Sequence, residues 1–265
     1  MSQPEKPTPE EIAFFHDNGY LVLEDCLTPD HVAQLLQVLE KAVARRRHLN
    51  DSGQPYRGIT NIDGDNIRIL HILEDDPLLL DLLDYPPVMP YIHTLLSEKA
   101  HFHASDAFWE TEPQPSQPGW HIDGYDGGYR TLRPNIPLLQ LKLGYFLSDM
   151  SQPDQANLTL VPGSHRLNED LTEAQRQSFA FAGAMQLCVP PGAGALFHNA
   201  LWHTRGPFTR AGGQRKMLYY AYELPWMVGN PEHWSYTPDF YSGLSEEHRA
   251  FFHGFAFEPK QERWF

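Results

Sequence analysis

The chain has 265 residues, 41% hydrophobic and 12% aromatic, enough for one large domain with a sizeable core. Its formal charge of -14, from 20 basic and 34 acidic residues, argues against nucleic acid or an anionic membrane as the main partner and leaves room for a small ligand that brings its own match to a local Arg or Lys. Two cysteines, Cys26 and Cys188, make a disulfide framework or a cysteine zinc site implausible, and the polar opening MSQPEKPTPEE and the absence of a long apolar run predict a soluble, cytoplasmic protein with reduced thiols.

Pro9-Glu10-Glu11 starts a short helix, and the apolar stretch of IAFFHDNGYLVLED follows. Thr28-Pro29 reads as the cap and first turn of a second helix over 29–47, because Val32, Leu35, Leu36, Val38, Leu39 and Val43 recur at helical spacing. Its basic end, Arg45-Arg46-Arg47, suits the negative pole of the helix and reads as solvated. The stretch SGQPYRGITNIDGDN reads as a loop, and 77–98 as a further helical region. From about 101 short apolar runs (HFHASDAFWE, LLQLKLGYFL, ANLTLV, AMQLCV, GALFH, KMLYYAYEL) alternate with Pro, Gly, Asp and Ser clusters, the pattern of an all-β barrel or sandwich. The expectation is a single domain: a helical part over about 10–98, a β core over about 100–225 and an aromatic extension over 226–265 that forms a lid or a subunit contact.

The chemistry centres on GWHIDGYDGGY. His121 and Asp123 would share one face of a strand and offer two adjacent ligands to a divalent metal. A His-x-acid triplet alone is weak, since about two are expected by chance in such a chain. A third imidazole from a strand folding back beside the first would complete a two-His-one-carboxylate face, which leaves three positions for a chelator and oxygen on iron(II). His198 and His203 both qualify. Arg215, twelve residues after His203 at the head of an apolar strand, would face inward with a planar fork suited to a carboxylate.

WHID, LVPGSH at 160–165 and LFHNALWH followed by QRK, with the opening EEIAFFHDNGYLVLEDCLTPDHVAQLLQVLE, together resemble the phytanoyl-CoA dioxygenase family of Fe(II)- and 2-oxoglutarate-dependent oxygenases over about 10–222. The resemblance implies a double-stranded β-helix, a cupin-like jelly roll, with flanking N-terminal helices. It implies Fe(II) on His121, Asp123 and His203, with His198 in a supporting position, and Arg215 on the distal carboxylate of 2-oxoglutarate. It also implies that 2-oxoglutarate and O2 are converted to succinate and CO2 as a small organic substrate is hydroxylated. Asp123 stands where halogenating relatives have a small residue, which favours oxygen insertion. The chain departs from the family after His203, where Thr204-Arg205-Gly206-Pro207 replaces the usual serine-bearing run, so Thr204 is only a candidate for the second cosubstrate contact.

Lys142, costly to bury unpaired within a leucine-rich strand, lies either on the outer face or against an anionic part of cosubstrate or substrate. Tyr145 is a further cosubstrate candidate, and Tyr125, Trp202 and Arg205 are substrate candidates; Asp126 reads as a turn residue. The rival expectations are a catalytically silent jelly-roll binding protein and a cupin-type metalloenzyme that does not use 2-oxoglutarate.

Overall fold

The computed structural model describes residues 6–52, 59–63, 66–124, 128–167, 169–227 and 236–252. Helix α1 (Pro9–Asn18) begins as the capping chemistry dictates: Thr8 Oγ1 accepts from Glu11 N–H at 3.2 Å while Thr8 N–H donates to the Glu11 carboxylate at 2.7 Å. Gly19, at φ 78°, ends it and turns the chain into β1 (Tyr20–Leu23). Thr28 caps α2 (Pro29–Asp51), which runs one turn further than the spacing predicts and buries the expected apolar stripe. Its basic end is not all solvated. Arg46 is buried and bonds Asp75 at 2.6 Å and the His71 carbonyl at 3.2 Å, a staple between α2 and the following chain; Arg45 also contacts Asp75.

Two expectations fail in the next stretch. The end of the expected loop is a hairpin, β2 (Ile59–Asp63) and β3 (Asn66–Leu70), with Asp63 opposite Asn66. The region 77–98 is not one helical run but the short helices α3 (Pro77–Leu80) and α4 (Met89–Leu95), because Pro86-Pro87 cannot continue a helix. Carbonyls left over there are taken up by three tyrosine hydroxyls from the β core: Tyr220 donates to Leu79, Tyr145 to Leu82 and Tyr222 to Leu83, at 2.5, 3.3 and 2.8 Å.

The remaining strands are β4 (His101–Glu110), β5 (Gln140–Phe146), β6 (Leu158–Leu160), β7 (Met185–Gln186), β8 (Gly194–His198), β9 (His203–Arg205) and β10 (Arg215–Glu223). They build two sheets, ordered β1-β8-β5-β10-β4-β3-β2 and β7-β6-β9, and every described strand pair is antiparallel. Bridges from Gln114 to Phe208 and from His121 to His203 lay the 114–121 segment beside β9. The chain is thus mostly antiparallel sheet with few helices.

One core lies between the large sheet and the helices, with Leu141, Leu143, Tyr145, Leu218, Tyr220 and Tyr222 facing α2, α3 and α4. A second fills the space between the sheets, with Phe146, Leu160, Phe197 and Met217. The described part of the C-terminal extension, 236–252, is not a lid over the His121–Asp123 region. Tyr236, Leu244 and Phe252 join the helix-side core, and Phe102 N–H bonds the Phe251 carbonyl at 2.9 Å. None of the described helices is long and apolar enough to cross a membrane.

Candidate active site

His121 and His203 face each other across the bridge between the 114–121 segment and β9, each N–H donating to the other's carbonyl at 3.0 Å. That register sets the two imidazoles side by side, with ring centroids 4.2 Å apart. Ile122, between the two HxD side chains, points the other way into a small core with Trp120 and Trp202. Asp123 is fixed through its backbone: its N–H donates to the Asn199 carbonyl at 2.8 Å. The Asn199 side chain in turn accepts from Leu139 and Gln140 N–H at 3.0 and 3.3 Å, so one buried amide ties the HxD turn to the head of β5.

One donor atom from each of His121, Asp123 and His203 lies within 4.8 Å of the others. Both rings are held in the same way, by a backbone carbonyl at Nδ1. His121 Nδ1 is 2.7 Å from the Gly119 carbonyl and His203 Nδ1 is 2.9 Å from that of Leu201, and since a carbonyl only accepts, each Nδ1 carries a proton and each Nε2 is the atom left for a metal. Burial pushes the His203 imidazole down to about 3, so it is neutral and ready to donate. Burial would raise Asp123, but the Lys142 ammonium outweighs it and holds the carboxyl well below the usual range. Lys142 Nζ donates to Asp123 Oδ1 at 2.7 Å, while Oδ2 is buried with no hydrogen-bond partner. Two imidazole Nε2 atoms and an ionised carboxylate with a free oxygen are the donor set of a divalent metal of the iron type.

A second charged group closes the other end of β10. Glu110 takes Arg215 Nη1–H on one oxygen and Arg205 Nε–H on the other, both at 2.8 Å. The Arg215 guanidinium carbon lies 3.9 Å from the centroid of Phe108. Burial opposes it, but the two arginines hold the Glu110 carboxyl below its ordinary range. Arg215 Nε and Arg205 Nη2 are buried without a partner, and two guanidinium charges against one carboxylate leave a positive site. Tyr219 lies between this group and the triad, under the fields of Arg215, Lys142 and Asp123.

The fold therefore brings His121, Asp123, His203 and Lys142 together and puts Arg215 on the inward face of β10, but it separates other candidates from them. Tyr145 is three residues from Lys142 on the same strand, so it faces the helices and bonds Leu82. Trp202, next to His203, is turned into the small core and lies 5.2 Å from the guanidinium of Arg176. Thr204 faces away from its β9 neighbour His203; its hydroxyl accepts from Gly119 N–H at 2.9 Å, next to the carbonyl that orients His121. Arg205 meets Arg215 at Glu110. His198 accepts from Ala200 N–H through Nδ1 at 2.9 Å and packs on His165, apart from the triad. Tyr125 and Asp126 lie outside the described residues.

Further side chains also meet here. A cavity of about 190 Å³ opens beside Asp123 and Lys142, walled by Arg68, His103, Asp106 and Gln140. The visible signal for these is a charged or polar residue inside an apolar strand, Arg68 in NIRIL and Asp106 in HFHASDAFWE. It cannot be read as inward or outward until the register is known.

The profile of the phytanoyl-CoA dioxygenase (PhyH) family matches residues 15–216. No curated protein sequence matches the chain at a significant level. Among solved structures, AviO1 from Streptomyces viridochromogenes Tue57 is similar at TM-score 0.65 and 22% identity, over 86% of this chain and 99% of that one. EctD from S. alaskensis with 2-oxoglutarate and 5-hydroxyectoine is similar at TM-score 0.67 and 20% identity, over 86% and 83%. HygX from Streptomyces hygroscopicus with nickel, 2-oxoglutarate and hygromycin B is similar at TM-score 0.64 and 18% identity, over 84% and 89%. At these identities the likeness concerns the fold.

Proposed function

The chain belongs to the phytanoyl-CoA dioxygenase family and is an Fe(II)- and 2-oxoglutarate-dependent oxygenase, and from that premise we propose how its residues divide the work. His121, Asp123 and His203 hold the iron, and Arg215 takes the distal carboxylate of 2-oxoglutarate. The two sheets are read as the halves of a double-stranded β-helix, with α1 and α2 flanking it. The observation that carries the metal assignment is the clustering of three donors within 4.8 Å, with Asp123 Oδ2 left unsatisfied in a buried site.

Bound Fe(II), with 2-oxoglutarate and O2, supplies the oxidising power, 2-oxoglutarate being decarboxylated to succinate and CO2 as the substrate is hydroxylated. The chain's residues fix the geometry in which this happens. Gly119 and Leu201 carbonyls hold the imidazole tautomers, and Thr204 supports the first of them. Lys142 keeps Asp123 ionised and occupies its second oxygen, which orients the free one. Glu110 and the Phe108 ring hold the Arg215 fork in place, and Arg205 adds a second positive charge there in place of the hydroxyl expected from the family pattern. Phe197 packs on both His203 and Tyr219, an apolar wall that keeps water from this part of the site.

A small organic molecule is the substrate class, and two free thiols, Cys26 and Cys188, suit a reducing cytoplasmic setting. The test is succinate formation from 2-oxoglutarate with added Fe(II), together with calorimetric binding of 2-oxoglutarate to the Mn(II)-loaded protein. Wild type should bind and turn over 2-oxoglutarate, Asp123→Ala should lose metal, and Arg215→Ala should lose 2-oxoglutarate affinity while keeping metal. Metal binding without any 2-oxoglutarate binding would favour a cupin-type enzyme instead.

A further inference from the structure

Three acid-base pairs wall the cavity beside Asp123 or stand directly behind it. Arg68 bonds Asp106 at 2.6 Å, Lys142 bonds Asp123 at 2.7 Å, and His103 Nδ1 is 2.6 Å from Glu223 and 3.1 Å from the Gln140 amide. An apolar group pressed against this wall would strip water from charges without replacing its hydrogen bonds, which costs free energy. The size points the same way. A space of about 190 Å³ is below the roughly 300–1,000 Å³ of pockets for drug-sized ligands.

The charge on the wall is not balanced once the proposed iron site is taken into account. Asp123 is committed to the metal, so among the charged side chains that line the cavity itself the two cations Arg68 and Lys142 face one carboxylate, Asp106, while Glu223 stands behind the wall against His103. Donors are also left over. Arg68 Nε is buried with no hydrogen-bond partner, and the Lys142 ammonium has three protons of which Asp123 takes one. Arg68 is held in place by Asp106 and by the Phe108 ring, whose centroid is 5.4 Å from its guanidinium carbon. A preset guanidinium with a free donor, beside an ammonium, recognises a carboxylate.

We propose that the substrate is a small, water-soluble monocarboxylate, anchored by Arg68 and Lys142, rather than an acyl thioester. One of its C–H bonds becomes C–OH as 2-oxoglutarate and O2 become succinate and CO2. The inference rests on the oxygenase reading above and deepens it, because Arg215 with Glu110 forms a separate carboxylate site for the cosubstrate at the other end of β10.

The experiment uses the full chain and a panel of aliphatic amino acids, their N-methylated betaines and 2-hydroxy acids, with the matching carboxamides and short acyl thioesters as controls. Fe(II)-dependent succinate formation and calorimetric binding to the Mn(II)- and 2-oxoglutarate-loaded protein are both read. At least one monocarboxylate should raise succinate formation tenfold or more over the substrate-free rate and bind, while its carboxamide does neither. Arg68→Gln should raise the KM for that compound at least tenfold, and the cosubstrate KM by much less. Stimulation by thioesters or carboxamides with no response to carboxylates would overturn the proposal, as would a silent panel on protein that still binds 2-oxoglutarate. An Arg68→Gln effect confined to the cosubstrate would also overturn it. Failure of wild type to bind 2-oxoglutarate at all would remove the oxygenase reading itself, and the substrate proposal with it.

Discussion

The two faces of the seven-stranded sheet are made by the same strands and serve opposite ends. On β5 and β10 one face carries Leu141, Leu143, Tyr145, Leu218, Tyr220 and Tyr222 against the helices, and the polar atoms of these six side chains are hydroxyls that meet helix-end carbonyls. The other face carries Lys142, Arg215 and Tyr219, opposite Asp123, Glu110 and the histidines. Charge is tolerated there because each group is paired, and the pairing leaves particular atoms free: Asp123 Oδ2, Arg215 Nε and Arg68 Nε. One face spends its residues on stability, and the other holds unsatisfied groups in fixed positions for ligands.

Mutations should separate the two faces. His203→Ala should cost the largest amount, a loss of activity of at least about a hundredfold and of tight metal binding, with a circular dichroism spectrum and melting temperature close to wild type. Leu141→Ala, on the helix side and fully buried, should cost about 2–5 kcal/mol in denaturant titration through lost burial and a cavity, while the cosubstrate KM stays put in the protein that remains folded. Glu110→Gln removes the carboxylate that holds two arginines and should raise the cosubstrate KM about tenfold, or about 1.4 kcal/mol, with a smaller change in kcat. An equal loss in kcat and in stability would assign Glu110 to the scaffold instead.

The smallest effect concerns pH. Burial, reinforced by His165 and His16, lowers the His198 imidazole from 6.5 to about 3. The folded state therefore resists a proton that the unfolded chain accepts, so stability is complete above about 6.5 and falls as pH drops from there toward 3. The slope is at most about 1.4 kcal/mol per pH unit for one such group. His198→Asn, which keeps an acceptor for Ala200 N–H but does not titrate, should flatten the loss of melting temperature between pH 6 and pH 5.

The proposed ligand triad is legible because its parts are local or patterned. His121-Ile-Asp123 puts two donors on one side of the chain, and His203 and Arg215 follow at the spacing that the family resemblance supplies. The helix caps at Thr8 and Thr28 are equally plain, since a cap is a contact between residues three apart. Lys142 is ambiguous in the sequence because an inward and an outward lysine look alike in LLQLKLGYFL, and Tyr145 is misassigned for the same reason. A shift of one residue in a strand exchanges its faces, and the shift is set by the partner strand rather than by the strand's own residues.

The sequence by itself therefore determined the capped helices, the β character of the second half and the family, and it singled out the four residues proposed for iron and cosubstrate. These rest on spacing within a segment or on an ordered set of motifs. Only the tertiary structure decided that Glu110 joins Arg205 to Arg215 across 95 and 105 residues, that Lys142 meets Asp123 and that Arg68 stands beside them. Those meetings follow from the register of β3, β4, β5 and β10, which is fixed by backbone pairing between distant strands and by which faces the helices cover.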